Sequence, residues 1–203
     1  MTSPLRQAQA RMTQGRIMDA AAASLLEHGY AATTIAAVAE RAGVAVPTVY
    51  KAFGSKTALV KRLYDRTLAG DDQAVPIGDR ADARAILTET DPAAVIGGYA
   101  RLAAEMSARL SPLLAVLLAA RSADPALAGF VDAIEAERRA GNLTFATHLA
   151  SLGAVPSPER AADVLWLFTA PEVHLRLVQQ RGWSPSTFAE WLETTLRQQL
   201  LGP

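Results

Sequence analysis

Residues Thr34 to Phe53 read TIAAVAERAGVAVPTVYKAF, and the fold turns on them. A seven-to-eight-residue amphipathic segment, from Thr34 or Ile35 to Arg41, is followed by Ala42-Gly43-Val44 and by a second short helix from about Val46 to Ala52. This is the layout of a helix-turn-helix. Gly43 supplies the positive φ that a tight interhelical turn requires, and the small or branched Ala39 and Val49 let the two helices cross closely. Val38, Val44 and Val49 form an inner seam. Ala45, Val46, Thr48, Tyr50 and Lys51 are then left facing outward.

On the N-terminal side, Ile17, Ala20, Ala21 and Leu25 recur at helical spacing between Arg11 and Glu27, and His28-Gly29 closes that helix with Gly29 as a left-handed cap. On the C-terminal side, Ser55 reads as the N-cap of a fourth helix running to about Leu68, with Leu59, Val60, Leu63 and Tyr64 as its stripe. Ala69 to Asp79, AGDDQAVPIGD, reads as a connection. Further helices are expected over 80–88, 92–109, 112–122, 125–152, 158–180 and 185–201. Prolines 92, 112, 125, 158 and 185 stand at the first helical position of five of them, and Pro171 kinks or ends its helix. The expected fold is all-α, with about nine to ten helices.

Charge sharpens this picture. The 203 residues hold 20 Lys/Arg and 20 Asp/Glu, for a net charge of zero. Residues 1–67 nevertheless carry nine basic against four acidic side chains, and residues 68–203 eleven against sixteen. A basic module on an acidic one is the expected organisation, as two domains, 1–67 and 68–203. With no cysteine there is neither a disulfide framework nor a thiol nucleophile. His28, His148 and His174 lack metal-ligand spacing, so no metal and no cofactor are expected. The longest apolar run, Leu113 to Ala120, is far short of the roughly 20 residues of a membrane span. No apolar stretch follows the basic N-terminus, so no secretory signal is read there and a cytoplasmic protein is expected.

The outward groups suit double-stranded DNA. A recognition helix enters the major groove by its N-terminal residues, where Thr48 can meet a thymine methyl or share hydrogen bonds, and Ala45, Val46 and Pro47 offer apolar contact. Tyr50 and Lys51 can reach phosphates. Lys56, at the start of the fourth helix, adds its charge to free backbone N–H groups, and Thr33 and Thr34 open the second helix in the same way.

The series Ile17, Ala20-Ala21, Leu25, Gly29-Tyr30, Thr33-Thr34-Ile35, Val38-Ala39, Ala42-Gly43-Val44, Thr48-Val49-Tyr50, Phe53, Ser55-Lys56 and Leu59 resembles the DNA-binding domain of the TetR family of transcriptional regulators. The resemblance implies an all-helical homodimer, with three helices as DNA module, a connecting fourth helix, and a variable C-terminal domain for ligand sensing and dimerisation. Val46 stands where many members place a polar residue, which leaves fewer directional base contacts.

No nucleophile elbow or glycine-rich phosphate loop occurs in the acidic part, so an enzyme is not expected. Its role is read as sensing, with dimerisation alone as the alternative. Tyr99, Met106, Phe145, His148, Trp166 and His174 are the candidate contacts to a small hydrophobic effector. Leu165, Phe168 and Leu177, with Phe188, Trp191, Leu192 and Leu196, are the candidate dimer interface. Two-fold symmetry would set a near-palindromic operator, and a repressor is expected.

Overall fold

A computed structural model of the chain describes residues 4–71 and 75–202. Its α-helices are α1 (Pro4–Ala32), α2 (Ile35–Arg41), α3 (Val46–Phe53), α4 (Lys56–Ala69), α5 (Ala81–Thr88), α6 (Pro92–Ala120), α7 (Pro125–Ser151), α8 (Pro158–Phe168), α9 (Pro171–His174) and α10 (Pro185–Leu201). Short 3-10 turns cover Ile77–Asp79 and Arg121–Ala123, and a π-helical turn covers Leu175–Gln180. No strand occurs among the described residues, so the all-α expectation holds. Of the connection at 69–79, Asp72, Gln73 and Ala74 lie outside the described residues.

The ends of these helices follow from side-chain chemistry. Thr34 caps α2 by accepting the Ala37 N–H at 3.1 Å, and Ser55 caps α4 by accepting that of Ala58 at 3.1 Å. Ser157 and Ser184 do the same for α8 and α10, each followed by proline at the first helical position. Asp91 and Asp124 carboxylates accept the first N–H groups of α6 and α7. Gly29, at φ 77 and ψ 172, breaks the helical geometry of α1 where the cap is expected. That helix begins at Pro4 rather than Arg11, because residues 4–10 are good helix formers although they carry no apolar stripe.

Pro112 departs from expectation. It lies inside a continuous α6, not at the start of a separate helix. A proline ring in a helix interior costs about 3 kcal/mol and removes one donor. Leu110, Leu113, Leu114 and Leu117 are all buried and continue the stripe begun by Val95, Ile96 and Tyr99, and that burial outweighs the defect. Ser111 Oγ donates to the Ser107 carbonyl at 2.6 Å, engaging backbone just before the proline. With α6 unbroken, Pro92–Ala123 is long and apolar enough to cross a membrane by length and composition alone, a test that the core helix of a soluble protein also passes. Pro171 behaves as expected: α8 stops at Phe168 and α9 starts at Pro171.

Packing divides the chain into two compact units. One comprises Met1–Thr67 with Pro112–Val131, and the other Leu68–Ser111 with Asp132–Pro203. In the first, Ile17, Leu25, Val38, Val49, Leu59 and Leu63 are buried, and Tyr64 meets Phe130 edge to face at 5.7 Å. In the second, Ile96, Tyr99, Phe145, Leu149, Leu165, Phe188, Leu192 and Leu196 form one core cluster.

Gly43 adopts φ +63, and a Cβ there would meet no atom within 4 Å. Its replacement is therefore penalised by backbone conformation alone. We expect Gly43→Ala to lower unfolding stability by about 1 kcal/mol, seen as a lower urea midpoint at unchanged m-value. An unchanged midpoint would contradict this account of the turn.

Candidate functional site

In the first unit the turn between α2 and α3 is closed by the backbone. Gly43 N–H donates to the Glu40 carbonyl and Val44 N–H to the Ala39 carbonyl, each at 3.0 Å. Val38 and Val49 are buried along the seam, as the sequence suggests, with Ala39 buried beside them, whereas Val44 is only half-buried. With Val49 inward, Val46, Pro47, Tyr50 and Lys51 share the opposite face of α3, since residues four apart are neighbours on a helix. All four are exposed, Tyr50 by 50% and Val46 by 36%. Ala45 is exposed at the N-cap and Thr48 is half-buried. Thr34 is exposed at the start of α2.

Two expected contacts sit differently. Thr33 is buried, and its hydroxyl donates to the Gly29 carbonyl at 2.8 Å, so it closes the end of α1 instead of facing outward. Lys56 is half-buried, and its ammonium donates to the Tyr30 carbonyl and lies 3.8 Å from the centre of the Tyr30 ring. The carbonyl and the aromatic face both attract a cation, and together they hold the side chain inward. Burial lowers the Lys56 pKa, opposed by the Asp124 charge.

The Tyr30 hydroxyl completes this cluster by donating to Asp124 Oδ2 at 2.8 Å, with Thr57 Oγ1 at 3.3 Å. That hydrogen bond is the main reason the Asp124 carboxyl titrates below its usual range; the Ala126 and Leu127 N–H groups and the Lys56 charge act in the same direction. Adding Pro112–Val131 to residues 1–67 adds one base, Arg121, and one acid, Asp124. The first unit thus keeps its excess of five positive charges.

In the second unit, Tyr99 and Phe145 come together, their rings edge to face at 4.9 Å. The Tyr99 hydroxyl donates to Asn142 Oδ1 at 2.7 Å and lies 3.5 Å from Thr169 Oγ1. Burial pushes the Tyr99 pKa up to about 12. Trp166 is tied elsewhere: its indole N–H donates to Glu135 Oε2 at 2.9 Å and its ring faces Arg139 at 5.1 Å. His148 Nε2 is 2.8 Å from the Glu89 carbonyl, and Met106 is half-buried. His174 is buried with its ring edge to face with Phe188 at 4.9 Å, and desolvation lowers its pKa. Among the described residues no cluster of His, Asp or Glu could hold a metal ion.

The residues expected at the dimer interface divide into two sets. Leu165, Phe188, Leu192 and Leu196 are buried inside the chain's own core, which corrects their assignment to an interface. Spacing of four places the three α10 residues on one stripe, and that stripe is used within the chain. Phe168, Leu177 and Trp191 are only partly buried, and Leu167 on α8 is 56% exposed. Asn142 is not among the residues that sequence reasoning singles out, although a lone asparagine one turn from Phe145 on an otherwise apolar stretch of α7 is the available signal.

The Tyr30 cluster has a pH signature. A carboxyl whose folded pKa is depressed stabilises the fold above its unfolded pKa, near 3.9, and loses that contribution as pH falls through the lower folded value. Tyr30→Phe removes the largest cause of the depression. The variant should be less stable than the parent at pH 6, and the gap should close as urea melts are carried down to pH 3. A gap that is constant over this range would exclude the linkage.

Residues 17–63 match the family of bacterial regulatory proteins, tetR family. A TetR transcription regulator from Haloarcula marismortui is similar over 94% of this chain and 97% of its own, at 17% identity and a TM-score of 0.66. NalD, the secondary repressor of the MexAB-OprM multidrug efflux pump in Pseudomonas aeruginosa, is similar over 95% and 98%, at 17% identity and 0.70. SmeT, in its triclosan complex, is similar over 93% and 91%, at 18% identity and 0.69. No curated protein sequence matches the chain. The solved structures establish a shared fold along nearly the whole length, and the family match covers its N-terminal segment: residues 17–63 are those of the tetR family of bacterial regulatory proteins.

Proposed function

We propose that the chain is a cytoplasmic, homodimeric transcriptional repressor that binds a near-palindromic DNA operator and is released from it by a small hydrophobic effector. The observation that carries the DNA reading is the outer face of α3, where Val46, Pro47, Tyr50 and Lys51 are exposed over a buried Val49. Its groups divide by task. Lys51, Tyr50 and Thr34 suit phosphates, while Ala45, Val46, Pro47 and Thr48 suit the methyl-bearing base edges of a major groove. Thr33 and Lys56 leave this set, because their polar groups are spent inside the protein.

Residues 1–67 take the DNA-binding role in this reading, with α4 as the connecting helix. Residues 68–203 take sensing and dimerisation. Two copies related by a two-fold axis would present α3 to successive major grooves about 34 Å apart. Phe168, Leu177, Trp191 and Leu167 are among the apolar groups of α8, α10 and the π-helical turn with surface to offer a second copy. A relative of the same fold in complex with triclosan supports the effector. Such a molecule acts only through different affinities for the DNA-competent and DNA-incompetent conformations. Catalysis has no part in this scheme.

Selection from random DNA followed by gel shift tests the reading, and the expected product is an inverted repeat. Lys51→Ala should weaken binding across sequences and make the salt dependence shallower, by about one in the log–log slope for each phosphate that Lys51 neutralises. Tyr50→Ala should weaken binding likewise. If no sequence is enriched, or both variants bind as the parent does, the assignment of α3 as the reading helix fails.

A further inference from the structure

The core of the second unit contains a polar defect that its own packing does not explain. Asn142 is buried, 7% exposed, and only one end of its amide has a partner: Oδ1 accepts from Tyr99, while Nδ2 meets no protein acceptor. A buried donor without an acceptor costs about 1–3 kcal/mol, and Asn142→Leu combined with Tyr99→Phe would avoid the cost. The described residues hold one other buried side-chain nitrogen or oxygen in this condition, His174 Nδ1. His174 packs on Phe188, a member of the same core cluster as Tyr99 and Phe145.

The backbone beside this region is irregular as well. α8 ends at Phe168, Thr169 brings its hydroxyl to 3.5 Å from Tyr99, α9 lasts one turn, and the π-helical turn follows from Leu175. Single π turns occur often at functional sites.

We infer that Asn142 is the polar anchor of a small-molecule site in the second unit, and that the molecule it takes is uncharged, largely apolar, and equipped with a hydrogen-bond acceptor such as a ketone oxygen. This rests on the effector reading above and specifies the chemistry of the effector. The amide Nδ2 only donates, so its complement is an acceptor. The aromatic faces of Tyr99 and Phe145 provide apolar contact next to it. The cation whose charge reaches Tyr99 is Arg138, and that guanidinium is already held by both Glu135 oxygens at 2.8 Å and by the Trp166 carbonyl at 3.1 Å. Burial also disfavours the charged form of His174. An anionic ligand would therefore bury its charge without a free cation among these groups, which is strongly unfavourable.

The test uses the full-length chain and three matched probe series: alkyl phenyl ketones from acetophenone to hexanophenone, the corresponding alkylbenzenes, and the corresponding phenylalkanoates. Calorimetry should find the best ketone binding about tenfold or more tightly than its hydrocarbon, a gap of about 1.4 kcal/mol. The carboxylates should be weakest. In Asn142→Leu the ketone should fall to the affinity of its hydrocarbon, whose own affinity is kept; the thermal midpoint is read in Tyr99→Phe/Asn142→Leu, since the single variant orphans the Tyr99 hydroxyl, and there the unliganded protein should not melt lower. A purely structural asparagine would give the opposite thermal result. The double variant Tyr99→Phe/Asn142→Leu, which removes both polar ends together, serves if the single variant does not fold. Equal ketone and hydrocarbon affinity in the parent, a ketone preference that survives Asn142→Leu, tightest binding by a carboxylate, or no binding by any probe would each overturn the inference. Fluorescence anisotropy on the selected DNA separates this from the function itself. A ketone that binds through Asn142 without releasing DNA leaves the site standing and removes the effector role. Release by compounds indifferent to Asn142 does the reverse.

Discussion

Three helix ends converge on the side chain and carbonyl of one residue, Tyr30, and the first unit depends on that convergence. The carbonyl, near the C-terminal end of α1, is an electron-rich group that draws the Lys56 ammonium from the start of α4. The ring beneath attracts the same cation, and the hydroxyl reaches the Asp124 carboxylate that caps α7. Each partner is better satisfied here than it would be alone. Lys56 is partly desolvated but lies on an aromatic face with a carboxylate nearby, and Asp124 serves as a helix cap and as an acceptor at once. A lysine that would otherwise be a mobile surface charge thus becomes a fixed part of the frame that carries α3.

This arrangement shows where sequence reading succeeds and where it stops. Thr34, Gly43, Ser55, Ser157 and Ser184 act through their own backbone neighbourhood, so local residue order is enough to place them. Thr33 and Lys56 look outward by position and charge, but their fate is decided by a carbonyl and a ring elsewhere in the chain. The same holds for α10. Its stripe of Phe188, Leu192 and Leu196 is visibly apolar, and periodicity cannot tell whether such a stripe faces a partner molecule or the chain's own core. Pro112 reverses a strong local rule because the apolar residues on both sides of it are buried along one continuous helix.

The second unit teaches a related lesson about polarity. Searching for large aromatic or titratable groups finds Tyr99 and Phe145, which do meet, and also His148 and Trp166, whose polar atoms are committed to Glu89 and Glu135. Asn142 has neither size nor charge to attract notice. What distinguishes it is a buried hydrogen-bond donor without an acceptor, a property that exists only once the chain is folded.

The long apolar helix α6 also bears on how the chain is made. During synthesis its 29 residues precede α7, α8 and α10, so they must wait for the segments that later pack with them. Over that interval they could pass for a membrane span by length and composition alone. Arg101, Glu105 and Arg109, exposed at every fourth position, give that helix a charged edge. Charged residues of this kind near the centre of a span cost about 2.5–3.5 kcal/mol each at insertion. These three surface residues therefore bias a nascent segment of ambiguous character toward water, before there is any folded core to hold it there.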